Sequence, residues 1–538
     1  MQAVEDKAVL SVDGEKPFYK NKNLLRLYLQ MIPGTLIVSA TMGYDGSMMN
    51  GIQAVDRWNI YFGYPTGSLL GIMNAILPLG AVFGIPLAAY ISDHYGRRWA
   101  MTAGDIIMII GAIIQTSSIN SELRLFPLGQ SLDFQASTDK RPITVAMFLV
   151  SRFVIGFGLT IAGSSAPMLT AELAHPTSRT TITSMYNTLW YVGSIIAAWV
   201  TYGTFRINND WSWRIPALLQ MIPSIINIAG VWFLPESPRW LIGNERYDEA
   251  KQILIDTHGE GDPNSELVRL EFEEIQAAIQ AEMALGKQSW GQLFNSPGNR
   301  YRTFLVLCCA YFPQWSGSGL VSYYLAPVLR TIGITSQERI TLINGIIQIW
   351  NMIVSMIGAN LVNRLGRRVI FVSSTSLMLL AMISWTISGS QYTMHGSGAA
   401  GSAVLFSLIF FMSAYNFCWN PLSVAYPVEI LTFPIRAKGV SLLVGAVKSA
   451  SFFNQFVNPI GLEKLQWKFY IVYCSWLGLV LAVVFFLFPE TKGRTLEEIA
   501  VIFDKDFYKT EDVEKTVLED DKSSEKNGNL TVETKERI

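Results

Sequence analysis

The sequence predicts an all-α membrane protein. Twelve transmembrane helices form two six-helix halves joined by a cytoplasmic helical linker. Three observations predict it. Half of the residues are hydrophobic and only 15% are charged, where soluble chains carry about a quarter. Apolar stretches of about 20 residues, the length that crosses a bilayer, recur twelve times along the chain. Short polar motifs at the ends of these stretches appear once in the first half and again, in the same order, in the second.

The elements follow in order. Residues 1–26 mix acids and bases and read as a cytoplasmic N-terminal segment, with no cleavable signal pattern. The first half covers 27–234, with apolar stretches near 27–48, 67–92, 98–118, 143–166, 182–204 and 213–234. Residues 235–300 are charged, with Glu266, Arg269, Glu271, Glu273 and Glu274 close together, and predict amphipathic helices linking the halves. The second half covers 301–489, with stretches near 302–327, 340–362, 368–389, 400–425, 439–460 and 467–488. Residues 490–538 form a polar cytoplasmic tail, expected to be disordered past Tyr508. Its lysines (Lys509, Lys515, Lys522, Lys526) are candidate acceptors for the ubiquitin machinery.

Orientation follows from basic residues in short loops. Lys7, Lys16, Lys20, Lys22 and Arg26 precede the first stretch, and Arg97 and Arg98 follow the second. Arg364, Arg367 and Arg368 follow the eighth, and Arg436 and Lys438 the tenth. Both termini are therefore expected in the cytoplasm, although Arg124, Lys140 and Arg141 sit together on the opposite side. The glycosylation triplet Asn529-Leu530-Thr531 falls in the cytoplasmic tail, where it should be silent.

Composition also excludes function classes. With 41 basic and 42 acidic residues the net charge is −1, which leaves no footprint for nucleic acid. Cys308, Cys309, Cys418 and Cys474 lie in apolar runs and read as small hydrophobes. His94, His175, His258 and His395 have no metal-ligand spacing. No phosphate-cradling Gly-x-x-x-x-Gly-Lys-Ser/Thr loop occurs, which argues against an ATP-driven pump. No nucleophile–base constellation suggests an enzyme, and no bound cofactor is expected. The bilayer itself is the one partner that composition demands.

The internal repeat carries the chemistry of the cytoplasmic ends. Ser92-Asp93-His94-Tyr95-Gly96-Arg97-Arg98 recurs as Val362-Asn363-Arg364-Leu365-Gly366-Arg367-Arg368. Glu172 through Arg179 recurs as Glu429 through Arg436, and Pro235-Glu236-Ser237-Pro238-Arg239 loosely as Pro489-Glu490-Thr491-Lys492-Gly493-Arg494. Preserved order points to a duplicated six-helix unit. The glycines suit a tight turn. Arg98, Glu172, Arg179, Glu236 and Arg239 are expected to form one charged cluster. Arg368, Glu429, Arg436 and Glu490 are expected to form another, together a cytoplasmic gate.

These motifs resemble the sugar porters of the major facilitator superfamily over about residues 25–505. Gly84 before Asp93, Pro235-Glu236-Ser237-Pro238-Arg239-Trp240 and Pro489-Glu490-Thr491-Lys492-Gly493-Arg494 carry the likeness. Gly43-Tyr44-Asp45-Gly46-Ser47, Tyr186-Asn187-Thr188-Leu189-Trp190, Thr201-Tyr202-Gly203-Thr204 and Asn454-Gln455-Phe456 are similar to the fungal lactose permease and cellodextrin transporter branch. The resemblance implies the major facilitator fold, a central site, alternating access and a plasma-membrane location. It implies import of a disaccharide or small oligosaccharide driven by a proton gradient. A hexose or pentose carrier and a sugar sensor of the same fold are the alternatives.

Site residues carry over by motif position. Asp45 and Arg152 form the implied proton-coupling pair. An acid at membrane depth is costly and so points to function. Asn187, Gln314, Tyr323, Asn351 and Asn454 are the implied sugar contacts, since amides offer both donors and acceptors to hydroxyls. The chain departs from the family pattern at His94, Thr180, Asn363 and Pro313. Gly319 stands where an asparagine is usual and Val424 where a tryptophan is usual, and both substitutions are expected to leave space for a larger sugar. Lys448 has no counterpart in the family. It sits in the eleventh stretch, about 15 Å of helix from Lys438, too deep for easy snorkelling.

Overall fold

The computed structural model describes residues 21–118, 141–284, 289–492, 499 and 502–503. The expectations placed on Lys7, Lys16, Lys20, Arg124, Lys140, Arg494, the tail lysines and the glycosylation triplet lie outside the described residues. Those residues form helices and turns, with no strand among them.

The spanning helices of the first half are α1 (Lys22–Ile52), α2 (Gly67–Tyr95), α3 (Arg97–Thr116), α4 (Arg141–Leu173), α5 (Arg179–Thr204) and α6 (Trp211–Val231). Those of the second are α7 (Pro297–Thr331), α8 (Gln337–Leu365), α9 (Arg367–His395), α10 (Gly398–Ile430), α11 (Phe433–Leu465) and α12 (Phe469–Leu487). Among the described residues, ten stretches are apolar and long enough to cross a membrane. One of them, Pro434–Leu487, holds both α11 and α12, which separate at Gln466, where φ is +49°. The helix α5 lies outside the ten, and its sequence mixes threonines, Asn187 and several Tyr and Trp residues among the apolar ones. Its hydroxyls turn back onto its own carbonyls, Thr183 to Arg179 and Thr201 to Ala197 at 2.8 Å each. A polar sequence is thereby compatible with a spanning helix.

Helices within each half approach closely where side chains are small. A Cβ on Gly43 would lie 1.8 Å from the carbonyl oxygen of Trp190, and one on Gly193 would lie 1.8 Å from that of Ala40. Glycine at these two positions lets α1 and α5 touch backbone to backbone. In α1, Pro33 opens a π turn over Ile32–Leu36, and Asn227 of α6 donates to the Pro33 carbonyl at 3.2 Å. In the first half α4 packs on α2 and α3, and in the second α10 packs on α8 and α9. Two long seams join the halves, α2 along α11 and α5 along α8.

Among the described residues, three α-helices, Pro238–Gly243, Tyr247–Thr257 and Glu266–Ala284, and the 3-10 turn Trp290–Leu293 lie between the halves in sequence. The Ser237 hydroxyl caps the first, accepting from the Trp240 N–H at 3.1 Å. Leu241, Ile242, Ala250 and Ile279 form their small shared core. His258 ties them to α4, with Nε2 lying 3.2 Å from the Leu173 carbonyl.

Candidate functional site

At mid-depth of the first half, Arg152 of α4 donates to Asp45 of α1 across 2.9 Å. Each side chain is only 3% exposed. The neighbouring residues of α1 are pinned as well. Ser194 of α5 donates to the Gly43 carbonyl, and the Tyr44 hydroxyl donates to that of Pro216, both at 2.9 Å. Asp45 is therefore neither a helix cap nor a solvent-facing acid. It is a buried carboxylate in a locked stretch of helix with a matched cation.

Across the interface the helix α7 is broken. Gly317, at φ +100°, interrupts it after Trp315, and Tyr324 has the non-helical pair φ −134°, ψ 28°. Irregular backbone inside a membrane fold is tolerated where it is buried in protein or lines a cavity. Here it presents Gln314, half-buried, and Tyr323, whose hydroxyl faces Ser451 and Gln455 of α11. Tyr323 also lies within electrostatic range of Asp45 and Arg152. The Trp315 indole donates to the Ala450 carbonyl at 3.1 Å and packs edge-on to Tyr311 and at a tilt to Phe453 and Trp476.

The remaining predicted amides are placed differently from one another. Asn187 is exposed on α5. Asn351 of α8 is buried and accepts from Asn416 of α10 at 2.9 Å. Asn454 of α11 is buried and accepts from Asn458 at 3.0 Å, and its own amide lies 3.4 Å from the Tyr473 hydroxyl. Asn351 and Asn454 thus bond protein in this conformation. Tyr191 is a residue that sequence reasoning missed. Its hydroxyl donates to Asn416 at 2.9 Å and also bonds Asn420, bridging α5 to α10 between the halves. The signal was available: Tyr191 stands four residues after Asn187, on the same helix face.

The expected extra space needs correction at one position. A Cβ on Gly319 would lie 2.1 Å from Asn454 Oδ1. The volume vacated there is filled by a neighbouring amide, not left open. Val424 is different. It is 55% exposed, on α10 one turn beyond Asn420, which reaches toward α5.

One end of the bundle is bonded across the halves. Asn50 of α1 donates to the Val321 carbonyl of α7 and to Asn344 of α8, both at 3.1 Å, and accepts from the Leu325 N–H at 3.0 Å. Gln53 donates to the Tyr323 carbonyl at 2.9 Å, Thr66 to Glu463 at 2.9 Å, and Arg206 pairs with Glu338 at 3.2 Å.

The opposite end carries the repeated motifs, and there each half is closed on itself. Gly96 and Gly366 turn the chain at φ +97° and +88°. The Glu236 carboxylate accepts from the N–H groups of Arg97 and Arg98, both at 3.2 Å. The Glu490 carboxylate does the same for Arg367 and Arg368, at 2.8 and 3.0 Å. Each acid sits at the start of a helix, where free N–H groups favour an anion. Burial alone would raise the Glu490 carboxyl, but N–H groups of Lys492, Arg367, Arg368 and Thr491 hold it below the ordinary carboxylate range. Arg97 pairs with Glu172 at 3.2 Å, and Arg367 with Glu429 at 3.0 Å. Arg98 reaches the Trp232 carbonyl and lies over its ring. Arg368 reaches the Phe485 carbonyl and lies over its ring.

The expected clusters are corrected in detail. The guanidinium partners of Glu172 and Glu429 are Arg97 and Arg367, because adjacent helical residues point about 100° apart and only the first of each pair faces the acid. Arg98 and Arg368 contribute backbone N–H groups instead. Arg179 does not join Glu172. It pairs with Glu271 of the linker at 3.7 Å, beside the 2.7 Å contact between Glu271 and His258. Arg436 donates to the Leu431 carbonyl at 3.3 Å. Arg239 lies half-buried in the first turn of the helix Pro238–Gly243. Arg97, Arg98, Glu172 and Glu236 bond within the first half and Arg367, Arg368, Glu429 and Glu490 within the second, and among the described residues none of them bonds across.

Comparisons with known proteins agree with this architecture. A family model described as Sugar (and other) transporter matches residues 32–503. The MFS-type transporter criB of Aspergillus cristatus is 28% identical, over 86% of this chain and 90% of that protein. A high-affinity glucose transporter of Kluyveromyces lactis is 26% identical, over 85% and 81%. The xylose transporter XylE of E. coli, in a partially occluded inward-open conformation, superposes with a TM-score of 0.70 at 22% identity, covering 87% of this chain and 98% of that one. These similar proteins are transporters and not enzymes. A multi-pass membrane protein with an internally repeated twelve-helix bundle and this family match over most of its length, the chain belongs to the sugar transporter family of the major facilitator superfamily.

Proposed function

We propose that the chain imports its sugar by proton symport through alternating access, with both termini and the repeated charged motifs in the cytoplasm of a plasma-membrane protein. The observation that carries this is the buried Asp45–Arg152 pair beside Tyr323, at the level where α7 of the other half is broken. Arg152 favours the charged carboxylate, and closing the site around it favours the neutral one. A group poised between these influences can take a proton when sugar closes the site and return it when the site opens. Basic residues at the charged end, Arg97, Arg98, Arg367, Arg368, Arg436 and Lys438, support a cytoplasmic position for that end. Bonds across the halves at the Asn50 end and none between the motif clusters at the other fit an inward-open carrier.

Within the sugars, the reading is a disaccharide or small oligosaccharide, supported by the exposed Val424, one turn along α10 from Asn420, whose amide bonds Tyr191 of α5. The aromatic group around Trp315 beside Gln314 suits stacking on a sugar ring with hydrogen bonds to its hydroxyls. The second reading is a monosaccharide carrier. It is favoured by the filled space at Gly319 and by glucose transporters among the similar proteins. Uptake of labelled lactose, cellobiose and glucose in a host lacking its own sugar carriers, with external pH recorded, tests both. Uphill uptake with alkalinisation is expected, and uptake without proton movement refutes symport.

A further inference from the structure

The charge inventory of the central site is unbalanced. Lys448 of α11 is half-buried and lies within electrostatic range of Asp45. Lys448, Ser451 and Gln455 share one face of the helix, at spacings of three and four residues. Ser451 accepts from Gln455 at 3.0 Å, and both face the Tyr323 hydroxyl. Lys448 therefore stands one turn along the same face, toward the charged end, at the meeting of the two halves. Its ammonium makes no hydrogen bond or close ion pair among the described residues. Asp45 is already engaged by Arg152 at 2.9 Å. Two cations thus face one carboxylate.

A neutral sugar leaves that surplus cation uncompensated at membrane depth, where an unpaired charge is costly. Snorkelling does not remove it, because Lys448 lies about four turns from the end of α11 that begins at Phe433. When Asp45 takes up a proton for symport, the surplus grows from one positive charge to two. An anionic substrate offsets the charge that protonation adds, and Tyr323, Ser451, Gln455 and Gln314 still offer groups for its hydroxyls. We propose that Lys448 is the anion-recognition residue of the central site and that the sugar this chain carries is an acidic one bearing a carboxylate. This rests on the reading of the central site as the substrate site.

The test compares sugars that differ in their acid group: galactose with galacturonate, and lactose with lactobionate. Uptake and competition are measured in a host lacking its own sugar carriers, with surface amounts matched by a fluorescent fusion. The wild type is expected to take up at least one acid in preference to its neutral partner. Lys448→Gln should lower the acid-to-neutral ratio about tenfold or more, the scale of a lost charge-assisted hydrogen bond. Lys448→Arg, which keeps the charge, should hold the ratio within about threefold. A purely structural role would depress both members together, and an unchanged ratio overturns the inference. Neutral sugars taken up while the acids neither enter nor compete overturns it too, leaving the sugar-import reading intact. Uptake of neither class overturns both.

Discussion

Asn50 donates to the carbonyl of Val321 across 3.1 Å, from one half into the broken helix of the other. The same side chain accepts from the N–H of Leu325 at 3.0 Å. In an unbroken helix that carbonyl and that N–H are partners. The kink at Tyr324 lies between them, and the Asn50 amide satisfies both. The closed end of the bundle is thus held by a splint on α7 supplied by α1. Asn50→Ala removes these bonds and the one to Asn344. At about 1 kcal/mol per hydrogen bond, the closed end should lose roughly 2–3 kcal/mol, enough to shift its population by about two orders of magnitude. A single cysteine introduced at Gln53 should then react faster with an impermeant maleimide added outside. An unchanged labelling rate would show that Asn50 does not hold this end shut.

The buried Asp45–Arg152 pair gives a prediction about energetics. Asp45→Asn should reduce the accumulation ratio of sugar to about 1, the value of passive equilibration, because proton and sugar are no longer linked. Exchange of sugar across the membrane should persist. Uphill uptake at the wild-type level, with normal alkalinisation, would exclude Asp45 as the coupling group. The pair also has a folding signature. Arg152→Gln alone takes from the buried carboxylate the cation bonded to it and leaves only the unbonded Lys448 in range, at a cost of up to ~3–5 kcal/mol. The double variant Asp45→Asn with Arg152→Gln should regain surface expression, and failure to regain it would argue against charge imbalance as the cause.

Much of this molecule is legible before its structure is known, for identifiable reasons. Spanning helices announce themselves by apolar length, and even the threonine-rich α5 is visible once hydroxyls are allowed to bond within the helix. The repeat is visible because Gly96 and Gly366 serve the same turn. Asp45 is visible because charge at membrane depth is rare, and Arg152 because the family resemblance sets an arginine opposite that acid. What is hidden depends on rotation about a helix axis and on distant partners. Arg97 and Arg98 are indistinguishable in sequence, yet one meets Glu172 and the other lies over Trp232. Arg179 finds Glu271, 92 residues away, through a linker whose docking no local pattern specifies. A missing side chain at Gly319 reads as space until Asn454 is seen to occupy it.

The linker's attachment should weaken in acid. Burial pushes the His175 imidazole down to about 4, with His258 and Arg179 also opposing its protonation. Burial alone would raise Glu271, but the charge and hydrogen bond of His258, with Arg179, bring it below its ordinary value. The sign is the same for both. Unfolded His175 takes a proton near pH 6.5 while the folded form resists, so stability is lost as pH falls from about 6.5 toward 4. Glu271 stabilises above its unfolded value and loses that contribution as pH drops through its lower folded one. Thermal unfolding in detergent should fall by several degrees across this range. His175→Asn should flatten the upper part of the profile, and an equally steep fall in that variant would place the acid sensitivity elsewhere.

Substrate size is tested at Val424. It lies one turn beyond Asn420, whose amide bonds the Tyr191 hydroxyl of the opposite half, so added bulk projects toward the interface. Val424→Trp should cut disaccharide uptake about tenfold or more, while a hexose loses about threefold or less. Equal losses would remove Val424 from the size filter. Uptake of hexoses alone by the wild type would select the monosaccharide reading.

Gly319 and Asn454 form the last testable relationship. The Cβ that any other residue brings to position 319 would stand 2.1 Å from Asn454 Oδ1, far inside contact distance. Asn454 has little room to yield, since Asn458 donates to that oxygen and Tyr473 lies 3.4 Å from its amide nitrogen. Gly319→Ala should therefore strain α7 against α11, costing ~1–3 kcal/mol as overpacking does, and reduce surface expression. Asn454→Ala in the same chain clears the oxygen and should restore expression, giving a favourable coupling of about 1 kcal/mol or more between the two sites. If Gly319→Ala is neutral alone, α7 and α11 are less tightly apposed than this contact requires. The space at position 319 would then remain available to the sugar, and the case for a larger substrate would regain its second support beside Val424.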